Sequence, residues 1–455
     1  MPPLLEAAVE RDRKSSMRRS VTLSFDFVLF GATFLLILIG VLFIYSSGVN
    51  SSGVSVSREY LKQLIWAITG IGILLLFSFL SYGTLRMASV YLYAISLLLL
   101  LVTLAVGRDV NGHRSWLGVG ELGIQPSEFA KISCILFLAT YFSNIGNGVR
   151  ELPRLLLGVF IIMVPLGLIL LQPDLGTTLV LVFIFLFMAF LAGAQLRHLF
   201  FIQLVGALTI VMAALPSILQ RTGHGPALLV MMREPTSLLY LIPPGAVVAG
   251  LALVGFRASK RVYFYWIFYF SSLVMIAAIC SIAVRLALKD YQIMRFVIFL
   301  NPHLDPQGSG WNILQSLTAI GSGGFHGKGF LHGTQSHYQF LPSQSTDFIF
   351  SILTEEWGFL GGLLVFFLYL VILLRGLSIV WSLRADSYAH IVGGGVLAML
   401  FVHMVINAGM AMGIMPVTGI PLLFLSYGGS SLWAALASVG ILINLHRRRY
   451  RFPAE

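Results

Sequence analysis

Long apolar runs punctuate this chain from end to end, and they constrain its fold more than any single motif does. A helix needs about 20 apolar residues to cross a hydrocarbon core. Runs of that length fall near 24–46, 61–80, 87–106, 127–143, 153–171, 174–192, 198–218, 237–255, 265–286, 347–374, 389–411 and 421–445. With 58% hydrophobic and only 10% charged residues, the chain cannot present the polar surface of a water-soluble globule. The expected fold is therefore all-α, a polytopic helical membrane bundle of about 12 spans in one domain, 1–455. The boundary between the fifth and sixth runs rests on Gln172-Pro173, since proline starts a helix well. Cys134 and Cys280 both lie in apolar runs and read as buried thiols rather than as a disulfide or metal site. The basic N-terminal tail leads into a run of spanning length with no small-residue cleavage pattern, so no cleavable signal peptide is expected.

An even number of spans puts both termini on one side. Arg11, Arg13, Lys14, Arg18 and Arg19 before the first span, and Arg447, Arg448, Arg449 and Arg451 after the last, argue that this side is cytoplasmic. Most of the 29 Lys and Arg fall in these tails or in loops placed inside by the same topology. The tails read as anchors that also meet anionic membrane lipids. Nucleic acid is not an expected partner, because no basic domain stands outside the membrane to bind it.

This topology leaves two substantial outer segments, 107–125 and 287–345. The first runs into the fourth span as GRDVNGHRSWLGVGELGIQPSEFAK, in which Pro126 suits a first helical turn and Glu128 and Lys131 share a helix face. Charges just inside a bilayer are costly unless paired or facing a wet cavity. A neutralising ion pair that fixes packing explains the two residues as well as a binding role does. Asp174, in LQPDLGTT, is placed in the first turn of a helix, where capping and the helix dipole suffice to explain it.

The second segment belongs to the longest polar interruption of the chain, Asn301 to Glu356, which holds eight glycines, four histidines, one lysine and four carboxylates. Asp305-Pro306-Gln307-Gly308 has the residues of a type I turn. Such a turn can also hold a carboxylate where it reaches both water and a lipid headgroup, as a general base must. The glycines at 321, 323, 324, 327 and 329 permit tight backbone geometry, and exposed amides there could hold anionic oxygen. His326, His332 and His337 lack metal-ligand spacing. Further on, Asp347 opens the tenth span, and Glu355 and Glu356 lie about two turns deeper, so a polar stripe is expected to enter the membrane. Intramembrane carboxylates fit catalysis or proton relay in a transporter, and periodicity does not choose between them.

The motifs GIQPSEFAKI at 123–132, LQPDLGTT at 171–178, DYQIMRFVIFLNPHLDPQGSGWNILQS at 290–316, TDFIFSILTEEWGFLG at 346–361 and PVTGIPLLFLSYGGSS at 416–431 occur in this order. In them the chain resembles, over nearly its whole length, the shape, elongation, division and sporulation family of polytopic peptidoglycan polymerases. AIGSGGFHGKGFLHGTQS at 319–336 is similar to the elongation branch more than to the division branch. The resemblance implies a lipid II glycosyltransferase of the bacterial cytoplasmic (inner) membrane, acting in the elongation machinery with a class B penicillin-binding protein, the transpeptidase. It implies Asp305 as the essential outer-loop aspartate and Glu128, Lys131 and Asp174 as polar residues of a central cavity. Arg114, Lys131, Arg295 or Lys328 could then stabilise the departing undecaprenyl pyrophosphate, with a divalent cation, Mg2+ or Mn2+, as a plausible helper. A lipid II flippase or transporter, or the division-type polymerase, is the alternative. Two departures stand out: Ser345 precedes Thr346-Asp347 where the family usually has histidine, and residues 219–270 look like a helix pair inserted into a ten-span core.

Overall fold

The structure, a computed structural model, describes residues 25–110, 113–119, 122–222, 240, 242–287 and 310–449, together with Arg295, Ile298, Phe299, Pro302, Asp305, Pro306 and Gly308. The chain runs α1 (Phe27–Ser47), α2 (Glu59–Phe79), α3 (Tyr82–Val106), β1 (Arg108–Val110), β2 (His113–Val119), β3 (Leu122–Ile124) and α4 (Pro126–Ile145). It continues through α5 (Leu152–Leu171), α6 (Leu175–Leu191), α7 (Leu196–Thr222), α8 (Ile242–Ser259) and α9 (Val262–Ala287). After α10 (Trp311–Gly323) and the single turn α11 (Thr334–His337) come α12 (Ile349–Ser382), α13 (Ser387–Ala411) and α14 (Gly429–Arg449). Among the described residues, 11 helices are long and apolar enough to cross a membrane, and α6, also apolar, is slightly shorter. With α6 counted, the expected spans are all present as helices.

Helix starts follow local chemistry. Asp26, Ser81, Asp174 and Asp386 cap α1, α3, α6 and α13 by accepting from Leu29 N, Thr84 N, Thr177 N and Ala389 N. Asp174 thus stands just before its helix rather than in the first turn. The centre of the bundle is formed by α13 and α14, whose core windows are 78% and 94% buried, so neither has much surface left for lipid. Around them α1 packs on α12, α2 on α14, and α4 and α6 on α13. The helices α7, α9 and α8 extend outward in that order, α9 lying between the other two, and α8 is only 11% buried.

One expectation is corrected here. The segment expected as loop at 107–125 holds a three-stranded antiparallel sheet, β1-β2-β3, in which Arg108 pairs with Trp116 and Leu117 with Ile124. Two adjacent prolines, Pro243 and Pro244, fall in the eighth span and leave α8 unbroken. They occupy the first turn of α8, where a missing N–H costs nothing. The segment 219–270, read as an inserted helix pair, takes in the end of α7, which runs to Thr222, and α8 with the start of α9; residues 223–239 lie outside the described set.

The tenth span is not one continuous helix. At Gly358 the backbone of α12 takes φ 65° and ψ −160°, splitting it in two. A break at membrane depth frees carbonyls on one side and amides on the other, and these must be satisfied inside the protein. The glycine-rich segment after α10 does this. Lys328 N and Gly329 N donate to the carbonyls of Glu355 and Glu356 at 3.0 and 2.9 Å, while Phe359 N donates to Gly324 O at 2.9 Å and Leu360 N to Phe325 O at 3.3 Å. The close approach requires glycine at the crossing point: a Cβ on Gly358 would lie 2.3 Å from Gly327 N. Backbone strain of about 1–3 kcal/mol plus this clash is therefore expected for Gly358→Ala. Thermal unfolding in detergent should show a clear drop in midpoint for Gly358→Ala, whereas Gly31→Ala, where an added Cβ meets nothing within 4 Å, should leave it unchanged or slightly higher.

Candidate active site

The connection between α13 and α14, residues 412–428, folds back into the bundle instead of running over its surface. Ile420, Leu422, Leu423, Phe424 and Leu425 are buried, so their peptide groups need partners from neighbouring helices. Asn407 Nδ2 donates to Ile420 O at 2.7 Å and to Asp347 O at 2.9 Å. His403 bonds Pro421 O through Nδ1 at 3.1 Å, Tyr369 donates to Leu423 O, and Gln63 Nε2 donates to Ser426 O at 3.2 Å. Gln63 Oε1 in turn accepts Gly428 N at 3.2 Å. Three helices, α2, α12 and α13, thus hold one irregular segment by its backbone.

Charged side chains gather on this segment. Lys131 is fully buried, and its Nζ lies 2.9 Å from both Glu128 oxygens and 2.8 Å from His403 Nε2. An ammonium has only donors, so Nε2 must be the accepting nitrogen. His403 is therefore the neutral tautomer with its proton on Nδ1, aimed at Pro421 O. Glu128 and Lys131 sit on the first turns of α4, which starts at Pro126 as expected. Just before that helix, Gln125 N donates to Ser430 Oγ at 3.0 Å and Gln125 Nε2 donates to Asp174 Oδ2 at 3.0 Å. Asp174 also accepts Thr177 N and Thr177 Oγ1 at 3.0 and 2.8 Å. Capping accounts for part of its bonding, and Gln125 ties the rest to α4.

Arg295 approaches the same segment from the other side. A Cβ built on Gly419 would lie 3.6 Å from Asp347 Oδ2 and 3.8 Å from Arg295 Nη1. Burial pushes the Asp347 carboxyl upward from its ordinary range, against the pull of the Arg295 guanidinium and the Thr346 hydroxyl. Asp347 precedes α12 instead of opening it. Asp305 forms the expected turn, with Gly308 N donating to its backbone oxygen at 3.3 Å and to Oδ1 at 3.1 Å. Arg114 stands exposed on β2, opposite Asp109 in the register.

Glu355 and Glu356 do not form a polar stripe. Glu355 Oε1 accepts Lys328 Nζ at 2.7 Å, Thr334 N at 2.8 Å, Thr334 Oγ1 and Gln335 N, both at 3.0 Å. Glu356 accepts Ser46 Oγ, and Leu331 N at 3.1 Å. The two carboxylates organise the loop 328–337, and Lys328 is engaged with one of them. The glycine-loop amides of Gly327, Lys328 and Gly329 are likewise used internally, so they do not form the anion cradle expected from the glycines. His337 bonds Val49 O through Nδ1 at 2.6 Å and His332 bonds Phe330 O through Nδ1 at 2.8 Å. Among the described residues no group of three or more His, Cys, Asp and Glu converges as a metal cage.

Sequence reasoning missed His403, Asn407 and Gln63. His403 and Asn407 are four apart, hence on one face of an apolar helix, and a polar pair at membrane depth was the available signal.

Comparison with known proteins narrows what this arrangement is for. The family model of the cell cycle proteins FtsW, RodA and SpoVE matches residues 27–224 and 245–451. The chain belongs to this family. It is 48% identical to the peptidoglycan glycosyltransferase RodA of Treponema pallidum (strain Nichols), over 93% of this chain and 98% of that protein. It is 34% identical to the peptidoglycan glycosyltransferase MrdB of Escherichia coli (strain K12), over 79% and 78% of the two chains. Among solved structures it is similar to a chain from a peptidoglycan synthase complex that coordinates polymerization and crosslinking, with TM-score 0.63, 27% identity and coverage of 94% of this chain and 99% of that one. The rod shape determining protein RodA of Thermus thermophilus is also similar, with TM-score 0.58, 26% identity and 94% and 98% coverage. Between its two matched stretches the family model skips residues 225–244, which lie inside the segment 219–270.

A buried ion pair is often replaceable by apolar residues without loss of stability. If Glu128 and Lys131 serve only packing, the double replacement Glu128→Leu, Lys131→Met should keep both fold and glycan synthesis. The expected outcome is an unfolding midpoint close to the wild type with polymerisation abolished, read by thermal unfolding and by gel analysis of glycan product.

Proposed function

We propose that this multi-pass membrane protein polymerises lipid II into glycan strands, with Asp305 as general base and undecaprenyl pyrophosphate as the leaving group. Its membership of the elongation side of the family makes it a peptidoglycan glycosyltransferase. The supporting observation in the molecule is the buried Lys131, held between Glu128 and a neutral His403 at the same end of the bundle as the Asp305 turn. Connectivity brings α4, α6, α12 and α14 to that end by their first turns and α13 by its last. With both termini in the cytoplasm, this end faces outward, where the lipid-linked sugars are presented.

The acceptor 4-hydroxyl attacks the anomeric carbon of the donor. A new C–O bond forms, the bond from that carbon to the pyrophosphate oxygen breaks with its electron pair, and Asp305 takes the hydroxyl proton. Direct displacement inverts the anomeric centre, as the reaction needs no enzyme nucleophile. The pyrophosphate leaves with increased negative charge. Lys131 and Arg295 supply fixed positive charge around the 418–421 segment, with Arg114 and Lys328 as outer candidates, and preorganised charge of this kind stabilises a departing anion without reorganisation. Asp174 holds Gln125 and so the start of α4. A divalent cation, Mg2+ or Mn2+, has no cage among the described residues. It would enter mainly on the pyrophosphate oxygens, and no step above depends on it.

The multi-pass chain resides in the cytoplasmic membrane and works with a class B penicillin-binding protein that crosslinks the strands it makes, in keeping with the synthase complex to which it is similar. A flippase would also need an amphiphilic cavity, but its activity has no meaning in detergent. Purified Asp305→Asn, which keeps the turn residue's size and polarity, should fold normally and polymerise lipid II about 100-fold more slowly or worse, a barrier increase of about 2.7 kcal/mol. Near-normal synthesis by the folded variant would reduce Asp305 to a turn former, and absence of polymer from the wild type with its transpeptidase partner would remove the polymerase reading.

A further inference from the structure

A second feature lies at the same end of the bundle, outside the charged cluster. A cleft of about 380 Å³ opens between the α1–α2 connection and the segment 339–345, and its polar lining includes Ser57, Glu59, Gln339, Ser343, Gln344 and Ser345. Its size lies within the range of small-ligand sites. Among the described residues no lysine or arginine lines it, which makes it a poor seat for pyrophosphate and a good one for an uncharged ligand rich in hydroxyl and amide donors.

Three further observations point to an occupant. Gln344 Nε2 is fixed on Ser336 O at 3.1 Å, and its Oε1 is buried with no hydrogen-bond partner among the described residues. A buried acceptor left unsatisfied is costly unless something supplies a donor. Gln339 and Ser343 hold φ of 57° and 51°, a left-handed backbone uncommon outside glycine and concentrated at functional sites. On either side of Gln339 in the chain, Tyr338 and Phe340 stand 60% and 47% exposed with their rings 5.9 Å apart, an apolar platform with a polar handle.

The cleft is also joined to the reaction site. Ser345 O accepts Tyr427 N at 2.8 Å from the α13–α14 connection, and Asp347, two residues further on, faces Arg295 across Gly419. A ligand bound here would leave the 418–421 segment along one wall of the protein.

We infer that this cleft is a saccharide subsite that holds the hexosamine backbone of the glycan strand next to the reaction centre, an inference that rests on the polymerase reading above. The Glu59 carboxylate accepts from sugar hydroxyl or acetamido N–H groups, and Gln344 Oε1 does so once its side chain turns toward the cleft, while Tyr338 and Phe340 cover the apolar face of a ring. The subsite keeps the strand attached between additions and so governs strand length more than the rate of the chemical step.

The test uses the purified full-length protein with its transpeptidase partner, in detergent, and two variants that retain side-chain size, Gln344→Met and Glu59→Gln. N-Acetylglucosamine tetrasaccharide binding is measured by saturation-transfer NMR, and strand length and lipid II consumption are measured in parallel. Losing one hydrogen bond, as in Gln344→Met, or turning a charge-assisted one neutral, as in Glu59→Gln, costs about 0.5–1.5 kcal/mol, so tetrasaccharide affinity should fall about 2- to 10-fold in each variant. Strands should shorten, with lipid II consumption close to the wild type and unfolding midpoints unchanged. Wild-type protein that does not bind the tetrasaccharide, or variants that bind it and extend strands like the wild type, would overturn the subsite. So would variants that change only the handling of substrates carrying a peptide stem, which would assign the cleft to the peptide. If the wild type binds tetrasaccharide but makes no polymer, the polymerase reading fails while the binding measurement still decides the cleft.

Discussion

Much of the site end of this molecule depends on the break in α12 at Gly358 and the backbone pairing that repairs it. A continuous helix would satisfy its own peptide groups and leave nothing for the loop after α10 to bind. The break exposes two carbonyls and two amides, and the segment 324–329 meets all four. With the backbone joined, the Glu355 and Glu356 side chains reach forward and fasten residues 328–337 by their amides and by Lys328. Two carboxylates that look functional in the sequence are thereby committed to holding a loop in place. Their buried charge is offset by charge-assisted hydrogen bonds, which are stronger than neutral ones.

The same logic governs the α13–α14 connection. An irregular segment can lie at membrane depth only if it is buried in protein with its backbone groups paired. His403, Asn407, Tyr369 and Gln63 perform that pairing, and two of them do a second task. Asn407 ties the segment to the backbone of Asp347, and His403 presents its other nitrogen to Lys131. The charge cluster and the backbone scaffold are therefore one network. Displacing the segment would move the lysine and the aspartate together, so a change in either half should be felt in the other.

Hydropathy made most of the architecture legible, because length and apolarity decide spans and because an even count sets sidedness. Asp305, Glu128 with Lys131, and Asp174 were legible as turn, ion pair and cap, and the described geometry contains all three arrangements. The sheet at 108–124 was not anticipated, although Asn111-Gly112 between Val110 and His113 is the residue pair of a tight hairpin. Its strands are short, and composition alone pointed to loop. The break at Gly358 was hidden for a different reason. TEEWGFLGG reads as continuous helix with glycines that a membrane helix tolerates, and only the partner segment, some thirty residues earlier, shows that one of them carries a left-handed φ. His403 was hidden likewise, since its role depends on a carbonyl supplied by a different part of the chain.

Stability alone does not account for the charged cluster. Burying Lys131 costs desolvation that a single carboxylate seldom repays with profit, and an apolar pair of the same volume would hold α4 against α13 as well. The molecule nevertheless keeps a lysine, a glutamate and a neutral imidazole in one hydrogen-bonded line, with an arginine and an aspartate against the same segment. The cleft lined by Gln344 and Glu59, by contrast, has no lysine or arginine among its described lining residues. Positive charge is placed around 418–421 and withheld next to it. A substrate with an anionic pyrophosphate at one end of the transferred unit and neutral sugars at the other matches that division, whereas a site built only to neutralise buried charge has no need of a neutral, donor-seeking cleft on its flank.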